Sequence, residues 1–464
     1  MHITRPTRSA LDTRLRALAA GCAIGLTLLM LPGLSLVSVA PPAPSLTLVP
    51  PSQGGNYPDF MFVPDALNST TMTLDLGLAQ PGVWNAPAAG LSMIYDASEW
   101  VVAIYYESFI LPIGKTLKFT NHPSRCPVAI FVHGSATVAG TLNLRGLDSD
   151  MDPGGTSQER FAHRASPGPG GFHGGLGRSS TSGGGQQQGS GFGPGGGTLT
   201  SIQGLGYTNG AGGGHRLSGG PAVPSPAGIP GARYGSPRVE QLVGGSGGAG
   251  DPSGFQSADG GAGGGAILLV ANMSITITGT IDCRGGAGGY SFIYYGEGGA
   301  GSSGSMRLIS ESIAVSGSLF APNGWIRLEF NQNGGLGGGV PVFASIDVGQ
   351  ADNAVLFAGT AAPSVRIVSI GGSTLPSDPR AGMSNFELPD AHAAGSGAAV
   401  VIIEGTNVPI TAQVFLRVTR ARGVSTGEVS VSGAPTGNDQ SWTRSVVIDF
   451  TQGYTALQVR AVLE

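Results

Sequence analysis

A 19-residue segment occurs twice without a gap, and this repeat constrains the fold more than any other feature of the chain. Val128–Gly146 reads VAIFVHGSATVAGTLNLRG, and Ile267–Gly285 reads ILLVANMSITITGTIDCRG. A third copy, Met306–Gly324, is one residue shorter ahead of its internal glycine, and Trp325–Phe330 begins a fourth. Each copy reads as a short apolar strand, a second strand with alternating β-branched residues, a glycine bend and a third short strand. One copy cannot bury its apolar face alone. Stacked copies can, by pairing like strands into parallel ladders around a continuous core. The expectation is an all-β chain with a parallel β-solenoid, or β-helix. A hairpin β-sandwich fits less well, because the joining segments are too long for hairpin turns.

The longest joining segment, residues 147–265, holds 39 glycines in 119 residues. It has no strict three-residue period, which excludes a collagen triple helix. Glycine raises the entropic cost of ordering, so one reading is a mobile excursion from the edge of the stack. The other is ordered glycine backbone, packed in layers where no Cβ intrudes. Phe161, Phe172, Phe192, Tyr207, Tyr234 and Phe255 would then pin the layers.

The rest of the chain divides around this centre. Arg5, Arg8, Arg14 and Arg16 precede an uncharged stretch, Ala17–Ala40, which ends Ser38-Val39-Ala40. Residues 1–40 therefore read as a signal peptide or a retained N-terminal anchor, and the chain as secreted or at the cell surface. Residues 41–56 form a Pro/Ser-rich linker. Residues 57–127 supply strands that cap the solenoid, which occupies 128–340. In 363–464 only 11 glycines remain among 102 residues. Short strands at regular spacing there predict an immunoglobulin-like β-sandwich.

Export would remove four arginines and Asp12, leaving 20 basic against 27 acidic side chains, a net of −7. That balance argues against nucleic acid or an anionic membrane surface as partner, and leaves a membrane link only through a retained N-terminal segment. Cys126 and Cys283 could form one disulfide in an oxidising compartment, or remain two buried thiols.

Several groups are candidate sites. Asp148, Asp150, Asp152 and Glu159 have the spacing of an EF-hand-type loop, with Pro153 where that loop needs glycine. They read as a looser Ca2+ turn or as a solvated acidic turn. Tyr290, Phe292, Tyr294 and Tyr295 lie in a glycine-rich loop with Glu297; their rings could stack on sugars or fold over their own loop. Arg145 and Arg284 occupy equivalent repeat positions. On a pectate-lyase-like β-helix such an arginine would act as a base. In the other reading the two form a ladder with Asn143 and Asp282. His163, His173 and His215 lack metal-ligand spacing and read as exposed polar residues.

Lys118–Arg125 (KFTNHPSR), Gly191–Gly197 (GFGPGGG), Gly263–Ala271 (GGGAILLVA), Val365–Gly372 (VRIVSIGG) and Leu457–Val462 (LQVRAV) carry a resemblance. In these motifs the mature chain resembles a group of uncharacterised glycine-rich exported bacterial proteins with β-solenoid-like repeats and a C-terminal immunoglobulin-like region. The resemblance implies a bacterial surface or envelope setting and assigns no activity. The function expected is a non-enzymatic surface or matrix protein, a polysaccharide-binding adhesin in its sharpest form. The alternative is a polysaccharide lyase or hydrolase on the same scaffold.

Overall fold

The computed structural model describes residues 57–81, 92–149, 165–177, 189–198, 209–222, 228–251, 258–290, 296–332, 346–351, 354, 356, 363–376, 390–392, 397–420, 427–450 and 454–462. The expected N-terminal segment and linker, residues 1–56, lie outside them. In chain order the strands are β1 (Thr71–Asp75), β2 (Ser92–Asp96), β3 (Val101–Tyr106), β4 (Phe109–Leu111), β5 (Thr116–Thr120), β6 (Val128–Val132), β7 (Ser135–Val138), β8 (Thr141–Asn143), β9 (Ile267–Ile277), β10 (Thr280–Asp282) and β11 (Ser305–Val315). They continue as β12 (Ser318–Phe320), β13 (Trp325–Gln332), β14 (Ile346–Gly349), β15 (Ser364–Ile370), β16 (Ser373–Thr374), β17 (Gly397–Thr406), β18 (Gln413–Arg420), β19 (Gly427–Ser430), β20 (Thr436–Asn438), β21 (Ser441–Phe450) and β22 (Thr455–Val462). A 3-10 turn at Leu76–Leu78 follows β1. The chain is nearly all β, with several sheets, some of them parallel.

The repeat copies pair in register. Val128 lies opposite Ile267, and Ile267 opposite Met306. Leu142 lies opposite Ile281, and Ile281 opposite Leu319. The copies thus run through two parallel sheets, one ordered β1-β5-β8-β10-β12 and the other containing β13-β11-β9-β6-β3. Between them lies one core, filled by Ile130, Leu269 and Leu308 from one sheet and Leu142, Ile281 and Leu319 from the other. The missing residue of the third copy appears as a bulge: Ser310 to Ser312 on β11 spans Ala271 to Ser274 on β9, which leaves the extra residue on β9.

The stack begins earlier than the repeat. β3, β4 and β5 pair in parallel with β6, β7 and β8 and form a turn of their own. This turn escapes the alignment because its corner, Leu111 to Thr116, is two residues longer than Val138 to Thr141. Only β2, antiparallel to β3, departs from the pattern at that end of the sheet.

Of the two readings of residues 147–265, the described residues show ordered glycine layers. Along 244–251 the amides of Gly245, Gly248 and Asp251 donate to Gly264, Gly261 and Ala258. Those of Gly247 and Gly250 donate to Phe192 and Gly189, while the carbonyls of Ser246 and Ala249 accept from Ser302 and Gly299. Every third residue returns to the same neighbour. Gly260, Gly263 and Ala266 likewise donate to Gly175, Phe172 and Pro169, and Gly261 and Gly264 to Gly299 and Ser302. A three-residue period in extended backbone is that of a polyproline II helix, which is unsatisfied alone and saturated here by neighbours on three sides. The neighbours approach so closely that a Cβ on Gly263 would overlap the carbonyl of Gly245, and one on Gly174 that of Gly260. Glycine is required at these two positions for its missing side chain, since neither has a positive φ. The layer reaches beyond residue 265: Gly298, Gly301 and Gly304 donate to Gly289, Gly286 and Cys283.

From β15 onward the pairing is antiparallel. β16-β15-β17-β21-β20 form one sheet and β19-β18-β22 another. Val401, Ile403 and Trp442 from the first share a core with Val414, Leu416 and Val418 from the second. The Trp442 indole donates to the Val408 carbonyl at 2.8 Å.

Candidate functional site

The two repeat-equivalent arginines lie on adjacent rungs, after β8 and β10. Arg284 grips Asp282 with Nε and Nη2, at 3.0 and 2.7 Å, and lies over the Phe320 ring. That carboxylate and its hydrogen bonds raise the guanidinium's already high pKa. Arg145 donates to Asp148 at 2.5 Å, and its amide is capped by Asn143 Oδ1 at 2.9 Å. Arg284 thus has the partner the repeat suggested, whereas the Arg145 guanidinium takes Asp148 and leaves Asn143 to its backbone amide; each arginine is already paired with a carboxylate.

Asp148 is committed as well. Its Oδ1 also accepts the Ala287 amide, at 2.6 Å. Asp150, Asp152 and Glu159 lie outside the described residues. Among the described residues no group of three or more His, Cys, Asp or Glu side chains is placed to hold a metal. Of the aromatic candidates, Tyr290 bridges Glu297 across the loop ends, whereas Phe292, Tyr294 and Tyr295 lie outside the described residues.

The cysteines are not joined to each other: Cys126 and Cys283 are both buried thiols. Cys283 is the repeat counterpart of Leu144 and packs into the main core as an apolar side chain does. Burial pushes its thiol pKa up, with Asp282 adding to the rise, so it is unreactive.

Two of the histidines contradict the expectation of exposure. His215 is fully buried, and His173 is half-buried with Nδ1 3.0 Å from the Ala165 carbonyl. His163 lies outside the described residues. Of the aromatics expected to pin the layers, Phe192 packs with Phe172 and Tyr454. Tyr234 donates to the Gly244 carbonyl at 2.5 Å and accepts from Ser246 Oγ at 3.0 Å. Phe161, Tyr207 and Phe255 lie outside the described residues.

Repeat reasoning did not anticipate the edge of the glycine layer. The Gly189 amide bonds Leu176, the Asp251 amide bonds Ala258, and the Gly289 amide bonds Asp259. Gly177 donates to the Asp259 carboxylate at 2.6 Å, and Ser149 Oγ to the Asp259 carbonyl at 2.7 Å. Glu297 accepts from Gly210 and donates to Asn209. Beside them Thr198 bonds Ile229, and Ala211 packs with Ala222. The residues that bound stretches 150–164, 178–188, 199–208, 223–227, 252–257 and 291–295 therefore gather along one edge. No periodic pattern in the sequence marks these bounding residues.

Compared with protein-family models, curated proteins and solved structures, the chain matches none.

Proposed function

We propose that this chain is a non-enzymatic, exported binding protein of the cell surface or matrix, and that its ligand is a neutral polysaccharide. In this reading the parallel stack is a β-solenoid and the C-terminal sheets are an immunoglobulin-like sandwich. The glycine layer is a rigid platform that carries the six connecting stretches.

The observation that carries the reading is the convergence of their bounding residues on one edge. A layer built mostly of glycines, many with a neighbouring backbone atom where a Cβ would stand, has little chemistry of its own. What it supplies is position, and positioned loops on a rigid scaffold are the usual carriers of recognition. The composition of the stretches selects the ligand. Their 52 residues include 19 Ser, Thr or Gln and six Phe or Tyr, with three acidic and three basic side chains. Hydroxyl, amide and aromatic groups at zero net charge suit hydroxyl-rich, uncharged surfaces. The pairing of Arg145 and Arg284 with carboxylates favours binding over catalysis.

A glycan array tests this. Neutral polysaccharides should bind the wild type and lose at least tenfold in affinity with Tyr294→Ala plus Tyr295→Ala. Release of reducing ends or unsaturated products from any bound glycan would overturn the non-enzymatic reading. Exclusive binding of charged glycans would overturn the choice of ligand.

A further inference from the structure

His215 stands where the glycine layer meets the turn that ends the third repeat copy. Its Nδ1 donates to the Ser303 carbonyl at 2.8 Å, and its ring lies on Tyr234 with centroids 4.4 Å apart. Nε2 is buried without a hydrogen-bond partner and lines the open side of Gly235 together with the Trp325 indole. The same joint is tied by Trp325 Nε1 to the Tyr234 carbonyl at 3.1 Å, and by Arg216 Nη2 to the Pro322 carbonyl at 2.9 Å. The Arg216 amide bonds the Asn323 carbonyl and the Tyr234 amide the His215 carbonyl.

We propose that His215 is an acid-sensitive latch: while its ring is neutral it locks the glycine layer onto residues 321–325, and protonation at Nε2 loosens that joint. A neutral imidazole needs one acceptor, and Ser303 supplies it. A second proton would place a full charge beside an indole and a glycine with nothing to receive its hydrogen bond, which is costly in a buried site. The charged groups on the surrounding stretches give no relief. Arg216 is a cation, as is the exposed Arg233. Glu240 faces Arg238, Glu329 holds Arg307 and Arg327, and Glu297 sits at the layer's edge.

Burial pulls the His215 pKa down from 6.5 to about 4, against an upward pull from the Ser303 and Gly304 backbone; Arg216 lowers it further. A folded pKa below the unfolded one means the stabilisation is whole above pH 6.5. It falls as the pH drops toward 4 and is flat below that. The gap sets a ceiling of about 300-fold on the unfolding constant.

The test compares wild type, His215→Gln and His215→Phe by denaturant unfolding and by amide exchange corrected for intrinsic rates, from pH 7 to pH 4. Between pH 7 and pH 4 the unfolding constant of the wild type should rise up to about 100-fold more than that of either variant, the folded imidazole being half protonated at pH 4, and exchange should open first at 211–216, 231–235 and 323–327. An identical pH dependence in wild type and a folded variant would overturn the latch. Should neither variant fold, NMR titration of the wild-type imidazole decides: a pKa near 5 or below supports the latch, and one near 6.5 refutes it. Neither outcome depends on what ligand the edge binds.

Discussion

Gly279 shows how much one residue carries in this chain. It lies at the corner where the second copy rests on the first, and a Cβ there would overlap the Gly140 carbonyl oxygen; Gly317 meets Gly279 in the same way. Gly279→Ala must therefore push adjacent rungs apart. We expect it to cost about 1–3 kcal/mol or more in denaturant unfolding. Gly220, with nothing within 4 Å of its Cβ position, should tolerate alanine with a change within about 0.5 kcal/mol. Equal losses in the two variants would show that the corner does not decide stability. The column of Gly140, Gly279 and Gly317 was legible in the sequence, because the glycine recurs at a fixed place in an apolar pattern. His215 was not legible. A lone histidine among glycines has no periodic neighbours to report its burial, and the partners that enclose it, Ser303 and Trp325, lie about 90 and 110 positions away.

At the scale of elements, strands were easier to read than what joins them. Alternation and β-branching mark Val365–Ile370, Val414–Thr419 and Ala456–Val462, within one residue of β15, β18 and β22, but only Val400–Glu404 of β17 and Ser445–Phe450 of β21. The three-residue rhythm of the glycine layer is carried by hydrogen bonds between distant backbones and leaves no three-residue period in the side chains. Arg417 was obscured for a related reason. On β18 it reads as the polar member of an alternating strand between Leu416 and Val418, yet it is buried. It donates to the Gly196 carbonyl at 2.6 Å and the Gly191 carbonyl at 3.3 Å. Burial lowers its pKa to about 10, partly offset by Glu428, so it remains charged at neutral pH. Arg417→Met should leave those carbonyls unsatisfied and cost about 1–3 kcal/mol. It should also separate the unfolding of the C-terminal sheets from that of the glycine layer, seen as two transitions in calorimetry where one is expected of the wild type. Arg417→Lys should fall between, because one ammonium does not reproduce the planar fork. A single, unshifted transition in Arg417→Met would show that Phe192 and Tyr454 suffice to hold the two together.

Across the whole molecule, the pairings divide the chain into backbone that the layer requires and backbone that it merely joins. The turn at 193–196 belongs to the first kind. Gly196 donates to Gly193, whose φ is +101°; Gly195 donates to Ser246 Oγ and accepts from the Gly214 amide, and the Gly196 carbonyl accepts from Arg417, so its replacement would disturb three neighbours. For 252–257 the second role is the prediction, drawn from the residues on either side. The residues that bound it, Asp251 and Ala258, are already hydrogen-bonded to each other, and the cost of closing a short loop changes slowly with its length and composition. Replacing 252–257 by a Gly/Ser linker of equal length should therefore shift stability by less than about 1 kcal/mol. Replacing Gly193, Gly195 and Gly196 together by alanine should cost several times as much, because each added Cβ would overlap a neighbouring atom. If these stretches bind glycan, the 252–257 replacement deletes Phe255 and Gln256, and binding should weaken while the thermal midpoint stays in place. Thermal unfolding and the glycan array, run on the same two replacements, separate the roles. Loss of both fold and binding on replacing 252–257 would make that stretch part of the platform. Retention of both would remove it from the binding edge and leave recognition to the other five stretches.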